Sequence, residues 1–363
     1  MARIDAFLKL GREQGCSDIH LAVGMPPLIR LHGELTPIKY RHLTRDELED
    51  LVKEIISKDQ YEDFNRGRDI DFSYDTEDGR YRTNLYRKIS GPGATFRVIP
   101  PTIPTLKELK LPKILETLLH AHQGMILVTG ATGTGKSTTL AAMINWLNEN
   151  RRYNIITLED PIEFIHESRQ SLIIQRSVGT HVASFSDGLH AALREDPDVI
   201  LVGELRDAET ITMAMEAAET GHLVLGTLHT TSATKTLDRI IDALPGEQKL
   251  LAATFLSQHL KGVISQKLVR SADGRSRKAI LEILVNTPAI SNLILNNKIF
   301  QIPASIQTGR ELGMQLMDQA LLDAIKNKEI DPDDAYLNAV DKKQFQRFVT
   351  DADLLPQINM AVT

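Results

Sequence analysis

Residues 130–139 read GATGTGKSTT, and Gly130 to Ser137 fits G-x-x-x-x-G-K-[ST] at every position. This stretch constrains the fold most, because the pattern works only where a strand hands over to a helix. The flanks supply both: MILVT (125–129) reads as a strand and KSTTLAAMINWLNE as a helix. Gly130, Gly133 and Gly135 let backbone N–H groups turn inward around phosphate oxygens, and the positive end of the new helix faces the anion. The expected phosphate cradle is therefore Gly130, Ala131, Thr132, Gly133, Thr134, Gly135, Lys136, Ser137 and Thr138. Lys136 brings a charge to the β- and γ-phosphates of a nucleotide, and Ser137 offers a hydroxyl to Mg²⁺.

Three further apolar runs follow: NIITL (154–158), VILVG (199–203) and LVLGTL (223–228). Runs without polar alternation fit strands buried on both faces, as in a parallel sheet covered by helices. Helical patterns lie between them, in SFSDGLHAALRED and DAETITMAMEAAETG. In such a sheet the strand ends open on one edge, where ligands bind. VILVGELRD ends in Glu204, a second anchor for the metal beside Ser137; NIITLEDPIEF ends in Glu159, Asp160 and Glu163. Singly, such acids read as helix caps or solvated turns, but several strand ends converging on a phosphate loop read as a catalytic edge. His222 and His229 flank the last run, and His229 reads either as a satisfied core residue or as a sensor of the γ-phosphate.

Residues 1–97 alternate short strand and helix patterns, and suggest a small mixed domain with a largely antiparallel sheet. A polar helix is expected from Thr44 to Tyr61. Proline-rich residues 98–111 read as a linker, and 112–363 as the nucleotide-binding domain, mostly helical from about 280. Cys16 is the one cysteine, which excludes an internal disulfide and a cysteine zinc cluster. The formal charge of -6 gives no case for coating nucleic acid or anionic membrane. With neither a signal-peptide pattern nor an apolar run of roughly 20 residues, the expected location is cytoplasmic.

The ordered set GATGTGKSTT, LEDPIEF, ALREDPDVILVGELRD and TGHLVLGTLHTTSA resembles the secretion-type ATPase superfamily, hexameric motors of type II secretion and type IV pili. Within it the chain is most similar to the twitching-motility retraction ATPases (the PilT family), through GCSDIHLAVGMPPLIRLHGEL near the start and SIQTGRELGMQLMDQALLDAI near the end. The resemblance implies an α/β fold: a small PAS-like α+β amino-terminal domain, a RecA-like P-loop core and a carboxy-terminal helical region. It implies ATP and Mg²⁺, a homo-hexamer at the inner-membrane base of a pilus, a platform protein there as partner, and a paralogous pilus ATPase as a further one. Glu204 would be the Walker B acid and Glu163 would polarise the attacking water. His222 and His229 would couple the site to neighbouring segments. Arg82 and Arg97 would supply arginine fingers, with Arg80 and Arg194 as lesser candidates.

One segment departs from the family pattern. Where retraction ATPases carry AIRNLIRE, residues 289–296 read AISNLILN, so Ser291 and Leu295-Asn296 replace charged residues. This separates ATP hydrolysis from retraction, and leaves an accessory pilus ATPase as an alternative. A ring-shaped nucleic-acid translocase would need a basic channel. The basic cluster with Arg270, Arg275, Arg277 and Lys278 reads instead as a solvated loop, so no nucleic acid is expected.

Overall fold

Alternating apolar and polar residues early in the chain build six strands: β1 (Asp18–Ala22), β2 (Leu28–Leu31), β3 (Glu34–Pro37), β4 (Ile70–Thr76), β5 (Gly79–Lys88) and β6 (Gly91–Ile99). They pair antiparallel in the order β3-β2-β1-β6-β5-β4. In β5, Tyr81, Thr83 and Leu85 are buried while Arg80, Arg82 and Asn84 between them are partly exposed, the period of a sheet with one covered face. Helix α1 (Asp5–Glu13) contributes Leu8 to that core, α2 (Arg45–Lys53) Leu48, Leu51 and Val52, and α3 (Lys58–Asn65) Phe64. The single helix expected from Thr44 to Tyr61 is thus two. Thr44 with Glu47 and Ser57 with Gln60 each form a capping box, and the second starts a new helix where the first has ended.

The computed structural model describes residues 2–355 apart from 32. It divides into one unit of Met1–Ile103 with Pro161–Ile165, and another of Pro104–Asp160 with His166–Thr363. The five residues Pro161–Ile165, which include Glu163, therefore group with the first unit.

The second unit holds a seven-stranded sheet. Its strands are β7 (Gly124–Thr129), β8 (Asn154–Glu159), β9 (Leu172–Ser177), β10 (Val199–Val202), β11 (Leu223–Leu228), β12 (Leu260–Arg270) and β13 (Arg277–Val285), in the order β13-β12-β7-β11-β10-β8-β9. All neighbours are parallel except β12 and β13. Every residue of β7, β10 and β11 is buried, as expected for strands covered on both faces. Removing each such Val, Leu or Ile from water stabilises the fold by about 1.5–3 kcal/mol. One face carries α4 (Ile114–Leu118) and α5 (Lys136–Asn150); α6 (Phe185–Ala192), α7 (Ala208–Glu219), α8 (Ala233–Ala243) and α9 (Gln248–His259) cover the other. Among the described residues no helix is long and apolar enough to cross a membrane.

Helices expected from about 280 begin later, at α10 (Pro288–Leu295), followed by α11 (Ile302–Thr308), α12 (Met317–Lys326), α13 (Pro332–Asn338) and α14 (Lys342–Phe345). Residues 277–285 form β13 instead, because Ile280, Leu281, Ile283 and Leu284 are buried on both faces against β12 and the helices. The hairpin ends at a polar knot. Asn286 Nδ2 donates to the carbonyls of Ser257 at 3.1 Å and Leu260 at 3.0 Å, with Leu256 O at 3.4 Å, and so caps the end of α9. Ser291 Oγ donates to Ser257 O at 2.6 Å and lies 3.2 Å from Asn286 Oδ1. Asn286→Ala removes the side-chain donor to Leu260 O and one of the two side-chain donors to Ser257 O, and is expected to lower stability by about 1 kcal/mol. A denaturation midpoint equal to the parent's would show that the knot carries no stability.

Candidate functional site

The second unit contains the phosphate loop, and glycine is required there by both backbone and space. Gly130 has φ +148° and Gly135 has φ +86°. A Cβ on Gly130 would stand 2.5 Å from Gln266 O, and one on Gly135 2.9 Å from Gln266 Nε2. Gln266, on β12, braces the loop from behind: Nε2 donates to Thr134 O at 2.6 Å, and Oε1 accepts from Thr139 Oγ1 at 2.7 Å. No side chain caps α5, whose N-cap is Gly135, so the first N–H groups of the helix, from Lys136, Ser137 and Thr138, point at the loop mouth. Lys136 Nζ lies within the loop, 2.8 Å from Gly130 O and 3.1 Å from Ala131 O. A cradle with no room for a Cβ at positions 130 and 135, lined with N–H donors and one ammonium, fits a polyphosphate.

Beside the loop opens a cavity of about 690 Å³. Leu109, Leu111 and Leu268 give it an apolar wall, while Arg277, Lys278 and Glu329 give it a charged one. Arg277 and Lys278 belong to the basic cluster seen in the sequence, and Lys278 Nζ pairs with Glu329 Oε2. The cluster expected as a solvated loop is instead mostly strand: Arg270, Arg277 and Lys278 stand on the paired ends of β12 and β13, only Arg275 lies in the turn, and Arg277 and Lys278 face this cavity.

At the neighbouring strand ends, Glu204 follows β10 and His229 follows β11, and the two meet: His229 Nε2 lies 3.3 Å from Glu204 Oε1. Arg206 Nη2 lies 2.7 Å from Glu204 Oε2. Burial alone would raise the Glu204 carboxyl, but the hydrogen bond and charge of Arg206, aided by His229, hold it below the usual carboxylate range. Glu204 is therefore an anion at neutral pH, as a Mg²⁺ ligand must be. Glu159 ends β8, its Oε1 accepting from Thr157 Oγ1 at 2.7 Å and Gln175 Nε2 at 3.2 Å.

His222, grouped with this site from the sequence, lies elsewhere. It precedes the first residue of β11, with Nδ1 2.8 Å from Ala217 O. At about 3.3 Å per residue the strand puts roughly 20 Å between it and His229. The parallel sheet opens its catalytic edge at the carboxyl ends of strands, and His222 is at the other end. Arg194 is exposed just past α6.

The first unit holds the arginine group. Arg82 and Arg97 face each other across β5 and β6. Arg82 Nη1 donates to Glu163 Oε1 at 3.1 Å, so two residues given separate roles from the sequence are partners here. Arg97 Nε donates to Asp18 Oδ1 at 3.1 Å. Arg80 Nη1 pairs with Asp75 Oδ2 at 2.9 Å and its Nη2 donates to Ile162 O at 3.2 Å, a structural use of that side chain.

Two participants escaped the sequence reading. Arg206 was readable in principle, standing two residues after Glu204 in GELRD. Gln266 had no sequence signal, because it comes from a strand more than 120 residues downstream of the loop it braces.

Residues 105–318 match the type II/IV secretion system protein family. The chain is 48% identical over 310 residues to the twitching motility protein of Neisseria gonorrhoeae, covering 85% of this chain and 83% of that one. It is 36% identical over 365 residues to the type IV pilus ATPase PilU of Pseudomonas aeruginosa, covering 99% and 96%. Among solved structures, the pilus retraction motor PilT with bound ADP superposes with a TM-score of 0.87 at 41% identity, over 96% of this chain and 99% of that chain.

Proposed function

The chain belongs to the type II/IV secretion system protein family, and we propose that it is a motor ATPase that drives retraction of a type IV pilus. It is an ATP hydrolase with a RecA-like core. The observation that carries the motor reading is the meeting of Glu204 and His229 at the strand edge beside the phosphate loop, in a chain similar over 96% of its length to a pilus retraction motor. ATP places its phosphates in the cradle of residues 130–138 and its nucleoside in the cavity beside it. Ser137 and Glu204 hold Mg²⁺, which supplies charge neutralisation to the phosphates when bound. Glu163 orients the attacking water, and Arg82 and Arg97 stabilise the charge that develops during transfer. His229 reads the presence of the γ-phosphate through its contact with Glu204.

The motor acts as a homo-hexamer on a platform protein at the inner-membrane base of a pilus. The proline-rich linker read at 98–111, whose first two residues close β6, joins the small amino-terminal domain to the motor core. The altered segment AISNLILN (289–296) favours a second reading, in which the chain is an accessory ATPase working beside a paralogue. Complementation separates the two. In a strain lacking this gene, the parent chain is expected to restore pilus retraction and Glu204→Ala to fail. Retraction that stays absent with the parent chain expressed would overturn the retraction reading and leave the accessory one.

A further inference from the structure

Three polar side chains cross the sheet in one row directly behind the phosphate loop. Thr129, the last residue of β7, is the register partner of Ser265 on β12, and Ser265 is the partner of Glu282 on β13. Partners in register leave the sheet on the same face. All three are buried, and Glu282 is only 7% exposed. Such a row in an apolar sheet is costly unless every group is paired, and outside the row its pairings lead to the residues after His229 and to the start of α12. Thr129 Oγ1 lies 2.9 Å from Ser265 Oγ and 3.4 Å from Thr236 Oγ1 on α8; Thr236 Oγ1 lies 2.7 Å from Thr230 Oγ1, next to His229. Glu282 Oε1 accepts from the N–H of Ala233, the first residue of α8, at 2.8 Å. Its Oε2 accepts from the N–H of Met317, the first residue of α12, at 3.4 Å. One carboxylate therefore holds the positive ends of two helices, with an orphan N–H of each. Burial pushes the Glu282 carboxyl above its usual range even against these donors.

We propose that Glu282 is a positioning residue for ATP hydrolysis: it fixes the start of α8, and with it the 230–232 turn and His229, relative to the phosphate-loop strand, and ties α12 to the same point. The inference rests on His229 as the γ-phosphate sensor. It makes this carboxylate the junction through which the state of the nucleotide reaches the carboxy-terminal helices.

The test compares purified full-length Glu282→Gln with the parent, in the parent background and with His229→Ala. Small displacements of a catalytic group carry large rate penalties, so Glu282→Gln is expected to lower kcat about tenfold. KM for ATP and the affinity for a fluorescent ADP analogue stay within about twofold, because neither reports where His229 stands. In the His229→Ala background the same substitution adds no further loss, the signature of residues acting through one another. Thr236→Val keeps the shape of Thr236 and removes its hydroxyl, so it repeats the kcat loss, and Thr236→Ser restores turnover. An unchanged kcat in folded Glu282→Gln overturns the proposal, as does a loss that persists in full without His229. Failure of both Glu282→Gln and Thr236→Val to fold would assign the row a structural role alone and overturn it too. A fully active His229→Ala overturns the sensor reading, whatever Glu282→Gln does.

Discussion

Replacing Lys136 with alanine is expected to lower ATP turnover by about a thousandfold, the scale on which losing a charge from a preorganised phosphate site acts. Lys136 Nζ sits in the mouth of the loop, between Gly130 O and Ala131 O. Its charge meets the β- and γ-phosphates in a loop whose other donors are neutral backbone N–H groups and hydroxyls. The change also removes two lysine bonds to loop carbonyls, but the left-handed glycines at 133 and 135, Gly130 and the brace from Gln266 remain to hold the fold of the loop. Circular dichroism should therefore match the parent while phosphate release falls away. Turnover within tenfold of the parent would overturn the assignment of the site.

Glu204→Gln is the second large effect. The substitution keeps the size of the side chain and its place between Arg206 and His229 but removes the charge that would hold Mg²⁺. Turnover is expected to fall by about a hundredfold or more, with ATP still bound. The pH dependence adds a check. The Glu204 carboxyl is held below the usual range, so it stays ionised through neutral pH and loses its charge only as pH falls through that depressed value. Raising the pH above neutrality therefore cannot increase the charge on Glu204 in the parent and cannot rescue Glu204→Gln. A variant that regains turnover at alkaline pH would assign the role to another group.

The edge that carries the candidate site was legible because each of its segments is contiguous in the chain. GATGTGKST carries its strand and helix with it, and the buried strands before Glu159, Glu204 and His229 are uninterrupted apolar runs. What escaped are the strands whose polar residues are buried. KGVISQKLVR and RKAILEILV mix Ser265, Gln266 and Glu282 into strands of the same sheet, and these polar residues mask the apolar pattern while bracing the loop and the helices. The Arg82–Glu163 pair was equally hidden, since nothing in residues 81 positions apart announces a hydrogen bond. His222, tied to the site through the family resemblance, stands instead at the amino end of β11, away from the edge where Glu204 and His229 meet.

The Asn286–Ser291 knot changes how the altered segment at 289–296 can be interrogated. Restoring the family's arginine at 291 looks like a simple reversion, yet the serine hydroxyl holds α10 to the end of α9. An arginine loses that short hydroxyl bond and sets a long charged side chain in its place, so the substitution would change a charge and an anchor at once. Leu295 is 49% exposed, and among the described hydrogen bonds Asn296 Nδ2 reaches only Asn292 on its own helix. Charges can therefore be returned at 295 and 296 with the anchor intact, and those two positions, rather than 291, are where ancestry and function can be read separately.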